Sequence, residues 1–121
     1  MTQRKVCACL LDVEQACTMI GQFTSNKTLA DYLGDPMVRS AVERQFEIIG
    51  EALKRVVGLD PAITRHVTDI ASIVAFRNRL IHGYATVSDE VVWGIVQGKL
   101  PLLHREVRAL LSESTDRVEK P

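Results

Sequence analysis

From Asp35 to Gly58 the chain reads D-P-M-V-R-S-A-V-E-R-Q-F-E-I-I-G-E-A-L-K-R-V-V-G. Val38, Val42, Phe46, Ile49, Leu53 and Val56 recur at spacings of three and four, which places them on one stripe of a 3.6-residue helix. Asp35 is an N-cap candidate, Pro36 suits the first helical position, and Gly58 supplies a stop. Gly50 interrupts this stretch at a cost of about 1 kcal/mol relative to alanine. It is either tolerated there, or it marks the close approach of another helix from this chain or a second copy.

The same period extends in both directions. Upstream, Val6, Cys9, Leu10, Val13, Cys17 and Ile20 predict an amphipathic helix over residues 4–23, and Lys27 to Leu33 adds a short turn stopped at Gly34. Downstream, Asp60-Pro61 repeats the helix-start signal. Ile70 to Tyr84 carries Ile73, Val74, Leu80 and Ile81 at helical spacing, and Arg77-Asn78-Arg79 breaks the strict alternation a strand needs. Thr86 to Asp89 matches a loose capping box, with Ser88 as the competing cap. A last segment opens at Val91, bends around Gly98 to Pro101, and resumes through Leu103, Val107 and Leu110. The expectation is all-α: four or five antiparallel helices in one bundle over residues 1–112, followed by a tail, 113–121, that frays.

At 121 residues the chain suffices for one domain, and fifteen basic side chains cancel fifteen acidic ones. That balance excludes a general nucleic-acid coater but leaves room for a local basic patch, and six aromatics are too few for a base-stacking platform. Cys7, Cys9 and Cys17 are odd in number and lack metal-ligand spacing, which fits a reducing cytosol and a cytoplasmic location. Arg4-Lys5 before Val6 to Leu11 faintly imitates a signal peptide, but Asp12 and Glu14 end the apolar run too early. No stretch reaches the ~18 apolar residues of a membrane span.

Chemistry concentrates in Arg77-Asn78-Arg79-Leu80-Ile81-His82-Gly83-Tyr84. Arg77 falls in the middle of an apolar stripe, where an unpaired guanidinium is prohibitive, so this face must meet an anion, a carboxylate or a polar interface. His82 lies five residues on, turned by roughly 140° on a regular helix. Asn78 and Arg79 are its neighbours one turn back. One chain therefore does not easily close Arg77 and His82 on a single phosphate. Unwinding at Gly83, or a second protomer related by a two-fold axis, relieves this. An imidazole that titrates near neutrality can move the proton of a ribose 2′-hydroxyl or of a leaving oxygen, and a guanidinium can hold the phosphate. No metal is required. The plainer alternative pairs Arg77 with Glu47 or Glu51 and leaves His82 satisfied near a helix end.

Arg77, four residues, His82, one residue and Tyr84 form the R-x4-H-x-Y signature, and on it the chain resembles HepT-type toxins of the HEPN superfamily. Ala41 to Val56, Phe76 to Tyr84 and Ser88 to Val96 are similar to the family's successive blocks, and the likeness runs from about Val6 to Ser112. Val67, Thr68 and Ala75 depart from it, standing where members often carry proline, tryptophan and glycine. The resemblance implies a HEPN bundle that dimerises through the motif helix, an active cleft at the dimer interface, and metal-independent ribonuclease activity without a cofactor. It makes Arg77 and His82 catalytic and Asn78 and Arg79 supporting. It also implies a partner, a MntA-like nucleotidyltransferase antitoxin that transfers AMP from ATP to Tyr84; this chain has no G-S and D-x-D pattern of its own for that task. The competing reading of Tyr84 is a core aromatic.

The rival function is a non-catalytic helical partner that presents nucleotide to a nucleotidyltransferase, with Arg77 and His82 holding its phosphate. A bundle without a site is the third. Elsewhere, His66 is expected to be exposed, His104 solvated or satisfied in the core, and Trp93 packed in the core or a dimer. Glu47 and Glu51, one turn apart, could brace Arg77 or Lys54. Lys54-Arg55 could extend a basic track, whereas Arg39 and Arg44, alternating with Glu43 and Glu47, read as a solvated face.

Overall fold

The computed structural model describes residues 2–82 and 87–119, with side chains to 113. Among these residues the chain is all-α. Helices α1 (Thr2–Thr24), α3 (Pro36–Leu59), α4 (Ile70–His82), α5 (Asp89–Gln97) and α6 (Lys99–Glu119) make the body, with the five-residue α2 (Leu29–Leu33) and a 3-10 helix (Pro61–Arg65) as connectors.

The apolar stripes are the core. Val6, Cys9, Leu10, Val13, Cys17 and Ile20 of α1 are buried, as are Val42, Phe46, Ile49, Leu53 and Val56 of α3. These two helices pack face to face at the centre; α4 lies on α3, α6 on α1, and α5 on α6. Each fully buried Val, Leu or Ile contributes roughly 1.5–3 kcal/mol. Phe46 meets Phe76 edge to face, with ring centroids 5.3 Å apart, which fixes α4 against α3. Tyr32 and Trp93 stack at a tilt, also at 5.3 Å, joining α2 to α5, with Trp93 partly buried against the core. Burial pushes the Cys17 thiol up to about 12, so it behaves as a small apolar group. No helix among the described residues is long and apolar enough to cross a membrane.

Local signals explain the boundaries. The Asp35 carboxylate accepts the Val38 N–H at 3.1 Å, and Pro36 opens α3 as expected. Thr28 and Asp31 form a reciprocal capping box that lets so short a helix as α2 persist. Ser88 caps α5, its hydroxyl accepting the Val91 N–H at 3.1 Å, while Thr86 lies outside the described residues. The expected bend is a break at Gly98, between α5 and α6.

Asp60-Pro61 is a correction: it starts a 3-10 turn rather than an α-helix. The Asp60 N–H donates back to Val56 O at 2.7 Å, finishing α3, and its carboxylate makes no cap bond. The turn ends at Arg65, and α4 begins after Asp69, whose φ of 56° lies in the left-handed region.

Candidate active site

Arg77 projects from the face of α4 that packs on α3. It can do so because the facing position is Gly50. A Cβ built there would lie 2.2 Å from Arg77 Cβ and 2.6 Å from Cγ, inside any permitted contact. The glycine in the α3 stripe therefore marks a close approach within this chain. The aliphatic stem of Arg77 crosses that gap, and the side chain retains 20% of its exposure.

The polar end of Arg77 is held unevenly. Nη1 donates to Asn78 Oδ1 at 3.1 Å, and Nη2 lies 3.9 Å from Glu51 Oε2. Nε is buried, with no hydrogen-bond partner among the described residues. Glu47, the other acid considered for this role, pairs with Arg44 at 3.2 Å on the α3 surface. Glu51 is the carboxylate that faces Arg77.

Asn78 continues the line outward. Ala71, Ala75, Asn78 and His82 follow one another by four, three and four residues, which puts them on one face of α4. Ala71, Ala75 and His82 are exposed and Asn78 is half-buried. Arg77 thus points at one side of this face through its bond to Asn78, and His82 closes the same face one turn later, at the helix end.

Arg79, four residues after Ala75 and three before His82, borders this face on the side away from Arg77. It is exposed and lines a groove of about 630 Å³ shared with Ala75, Val91, Ile95, Lys99 and Leu102, between α4 and the α5–α6 corner. Tyr84 lies outside the described residues.

The remaining candidates have structural partners or open positions. His104 Nε2 sits 2.6 Å from Glu14 Oε2, bridging α6 and α1, so this histidine is satisfied in the bundle. Thr18 donates to the same Glu14 oxygen at 2.7 Å, and Arg108 Nε lies 3.9 Å away. The hydroxyl of Thr18, then His104, holds the Glu14 carboxyl below its usual range. His66, Lys54 and Arg55 are exposed.

Arg39 is the residue that charge alternation concealed. Instead of a solvated face, its guanidinium reaches back to the carbonyls of Tyr32, at 3.5 Å, and Leu33, and its Nε lies 3.5 Å from Asp89 at the start of α5. Its place just after the Asp35-Pro36 start, within reach of the α2 C-terminus, is the signal that could have suggested this latch. Burial, then Asp89 and Glu47, raises the Glu43 carboxyl beside it. Burial also raises the Tyr32 phenol, whose oxygen is buried without a partner among the described residues.

Known proteins are similar to this chain over most of its length. The family model described as "Ribonuclease HepT-like" matches residues 13–110, well over half of the chain. A protein named "Probable ribonuclease HepT" from Thermococcus cleftensis is 34% identical over 98 residues, covering 78% of this chain and 84% of its own. Two proteins of Methanocaldococcus jannaschii extend the likeness. "Putative RNase MJ1380" is 32% identical over 107 residues, 88% of this chain and 97% of its own. "Putative RNase MJ0127" is 29% identical over 114 residues, 93% of each. No solved structure matches the chain at a significant level. With its R-x4-H signature set on an all-helical bundle, the chain belongs to the ribonuclease HepT-like family.

Proposed function

We propose that this chain is the toxin of a toxin–antitoxin pair, a ribonuclease that cleaves RNA in the cytoplasm with Arg77 and His82. One observation carries the reading: Arg77 is seated on Gly50 with its Nη end turned to Asn78, on the helix that ends in exposed His82. Leucine would fill that core position at less cost, so the arginine is there for its charge.

The reaction is an internal displacement at phosphorus. An imidazole takes the proton of the ribose 2′-hydroxyl, the 2′-oxygen attacks the phosphorus, and the bond to the 5′-oxygen breaks. A second imidazole, protonated, returns a proton to that leaving oxygen. Arg77 neutralises charge on the non-bridging oxygens. A homodimer supplies both imidazoles, and the exposed small residues Ala71 and Ala75 on the face of Asn78 and His82 support a close two-fold crossing of α4 with its copy. In this scheme the transfer of AMP to Tyr84 by a nucleotidyltransferase antitoxin, with release of pyrophosphate, places a phosphate next to the cleft and silences it.

Purified protein should degrade RNA in EDTA, with Arg77→Ala and His82→Ala folded and inactive. Cleavage that survives both substitutions would reject the assignment. Intact-mass measurement after incubation with the transferase and ATP tests the modification; a gain retained in Tyr84→Phe would exclude that residue.

A further inference from the structure

We infer that Glu51 is a built-in competitor for the phosphate-binding end of Arg77, a positioning residue that lowers the affinity of the site for RNA. The inference rests on the reading of Arg77 as a phosphate holder. Its ground is the asymmetry of the guanidinium. Nε is buried, so a phosphate is received at the Nη1–Nη2 end. Asn78 occupies Nη1 through a neutral oxygen, and Glu51 stands 3.9 Å from Nη2 with a negative one. An arriving phosphate must share or displace that carboxylate.

Glu51 is free to yield. Its side chain is 59% exposed, and at 3.9 Å the pair is a Coulombic contact rather than a tight hydrogen bond. It also has another cation at hand. Arg55 stands one turn on along α3 and lines the same shallow cavity as Glu51, and Lys54 stands three residues on. Glu51 therefore exchanges between Arg77 in the empty site and Arg55 when phosphate is bound. In the empty state it keeps the half-buried guanidinium paired. In the bound state its departure leaves Nη2 to the ligand.

The test measures binding separately from cleavage. The probe is a fully 2′-O-methylated oligoribonucleotide, which lacks the attacking hydroxyl, titrated by fluorescence anisotropy. Glu51→Gln should tighten binding about two- to fivefold, the range of an exposed ion pair. In RNA cleavage the same variant should lower KM with little change in kcat. Glu47→Gln, which removes an equal charge one turn away at Arg44, should change neither. In an Arg77→Ala background Glu51→Gln should have no effect on binding. Unchanged or weaker binding in Glu51→Gln, or tightening that persists without Arg77, overturns the inference while leaving the ribonuclease reading in place. Wild-type binding and cleavage by Arg77→Ala overturns both.

Discussion

Gly50 and Arg77 occupy one gap between α3 and α4 that has room for a single side chain: the missing Cβ of the first would sit 2.2 Å from the Cβ of the second. The approach of the two backbones and the seating of the arginine are therefore one structural fact. A mid-helix glycine lowers intrinsic helix stability, and here that cost is offset by placing a guanidinium where a bundle ordinarily buries a leucine.

Gly50→Ala should then destabilise the protein by about 1–3 kcal/mol, although alanine is the better helix former. Arg77→Ala should not rescue it, because the Cβ of residue 77 remains. Urea unfolding of the two single variants and the double checks both statements; a neutral Gly50→Ala would mean that the crossing relaxes freely.

Asn78→Ala removes the acceptor for Arg77 Nη1 and should slow RNA cleavage about tenfold, the equivalent of ~1.4 kcal/mol of lost alignment. Asn78 is half-buried near the bundle surface, so the midpoint of urea unfolding should move little. A rate equal to wild type would show that the bond does not orient the arginine during the reaction.

Ala75→Arg places a long cation on the exposed small face of α4. If two copies of this helix meet there, sedimentation should shift toward the monomer and cleavage should fall by at least about a hundredfold, as expected for loss of an acid–base partner. Circular dichroism should remain that of the wild type. A dimer that persists at full activity would place the two-fold contact elsewhere.

Stability should fall on acidification through Glu14. Its folded carboxyl is held below its ordinary value of about 4.5, by the Thr18 hydroxyl first and His104 next. A lowered folded pKa means the unfolded chain binds the proton more readily. The contribution is therefore complete above about 4.5 and is lost as the pH drops through the folded value. Thr18→Val should flatten this acid limb and cost about 1–2 kcal/mol at neutral pH, read from unfolding curves between pH 3 and 7.

Glu43 has the opposite sign. Its carboxyl is raised by burial, with Asp89 and Glu47 adding to the effect, so its charged form opposes folding at neutral pH. Glu43→Gln should raise the unfolding midpoint at pH 7, and the gain should vanish well below the carboxylate range. A variant less stable at pH 7 would show that Arg39, which lowers the Glu43 carboxyl, outweighs burial.

The helices that pack the core were legible because their apolar residues keep a 3.6-residue period over about four turns in α1 and five in α3. Their starts were legible where one side chain settles the matter, as Asp35 does. Asp60-Pro61 shows the limit: a proline start is compatible with both α and 3-10 geometry, and the choice was made by the turn into α4. The meaning of Gly50 was open for a similar reason, since a one-dimensional pattern cannot say which helix crosses at which residue. Charge alternation misplaced Arg39, because a long side chain near a helix start can reach another element. At the site, Glu51 and Glu47 were equal candidates for Arg77 until the rotation of α3 against α4 separated them.

Helix α3 holds α4 at Gly50 and α5 at Arg39, through Asp89. These anchor points are eleven residues apart, or ~16 Å along the helix axis. The helix is thus a gauge that sets where the two segments flanking residues 83–86 begin and end. Deleting one residue between the anchors would swing one through ~100° relative to the other. Length changes in this family should therefore collect in the connections, while the interval from Arg39 to Gly50 stays constant.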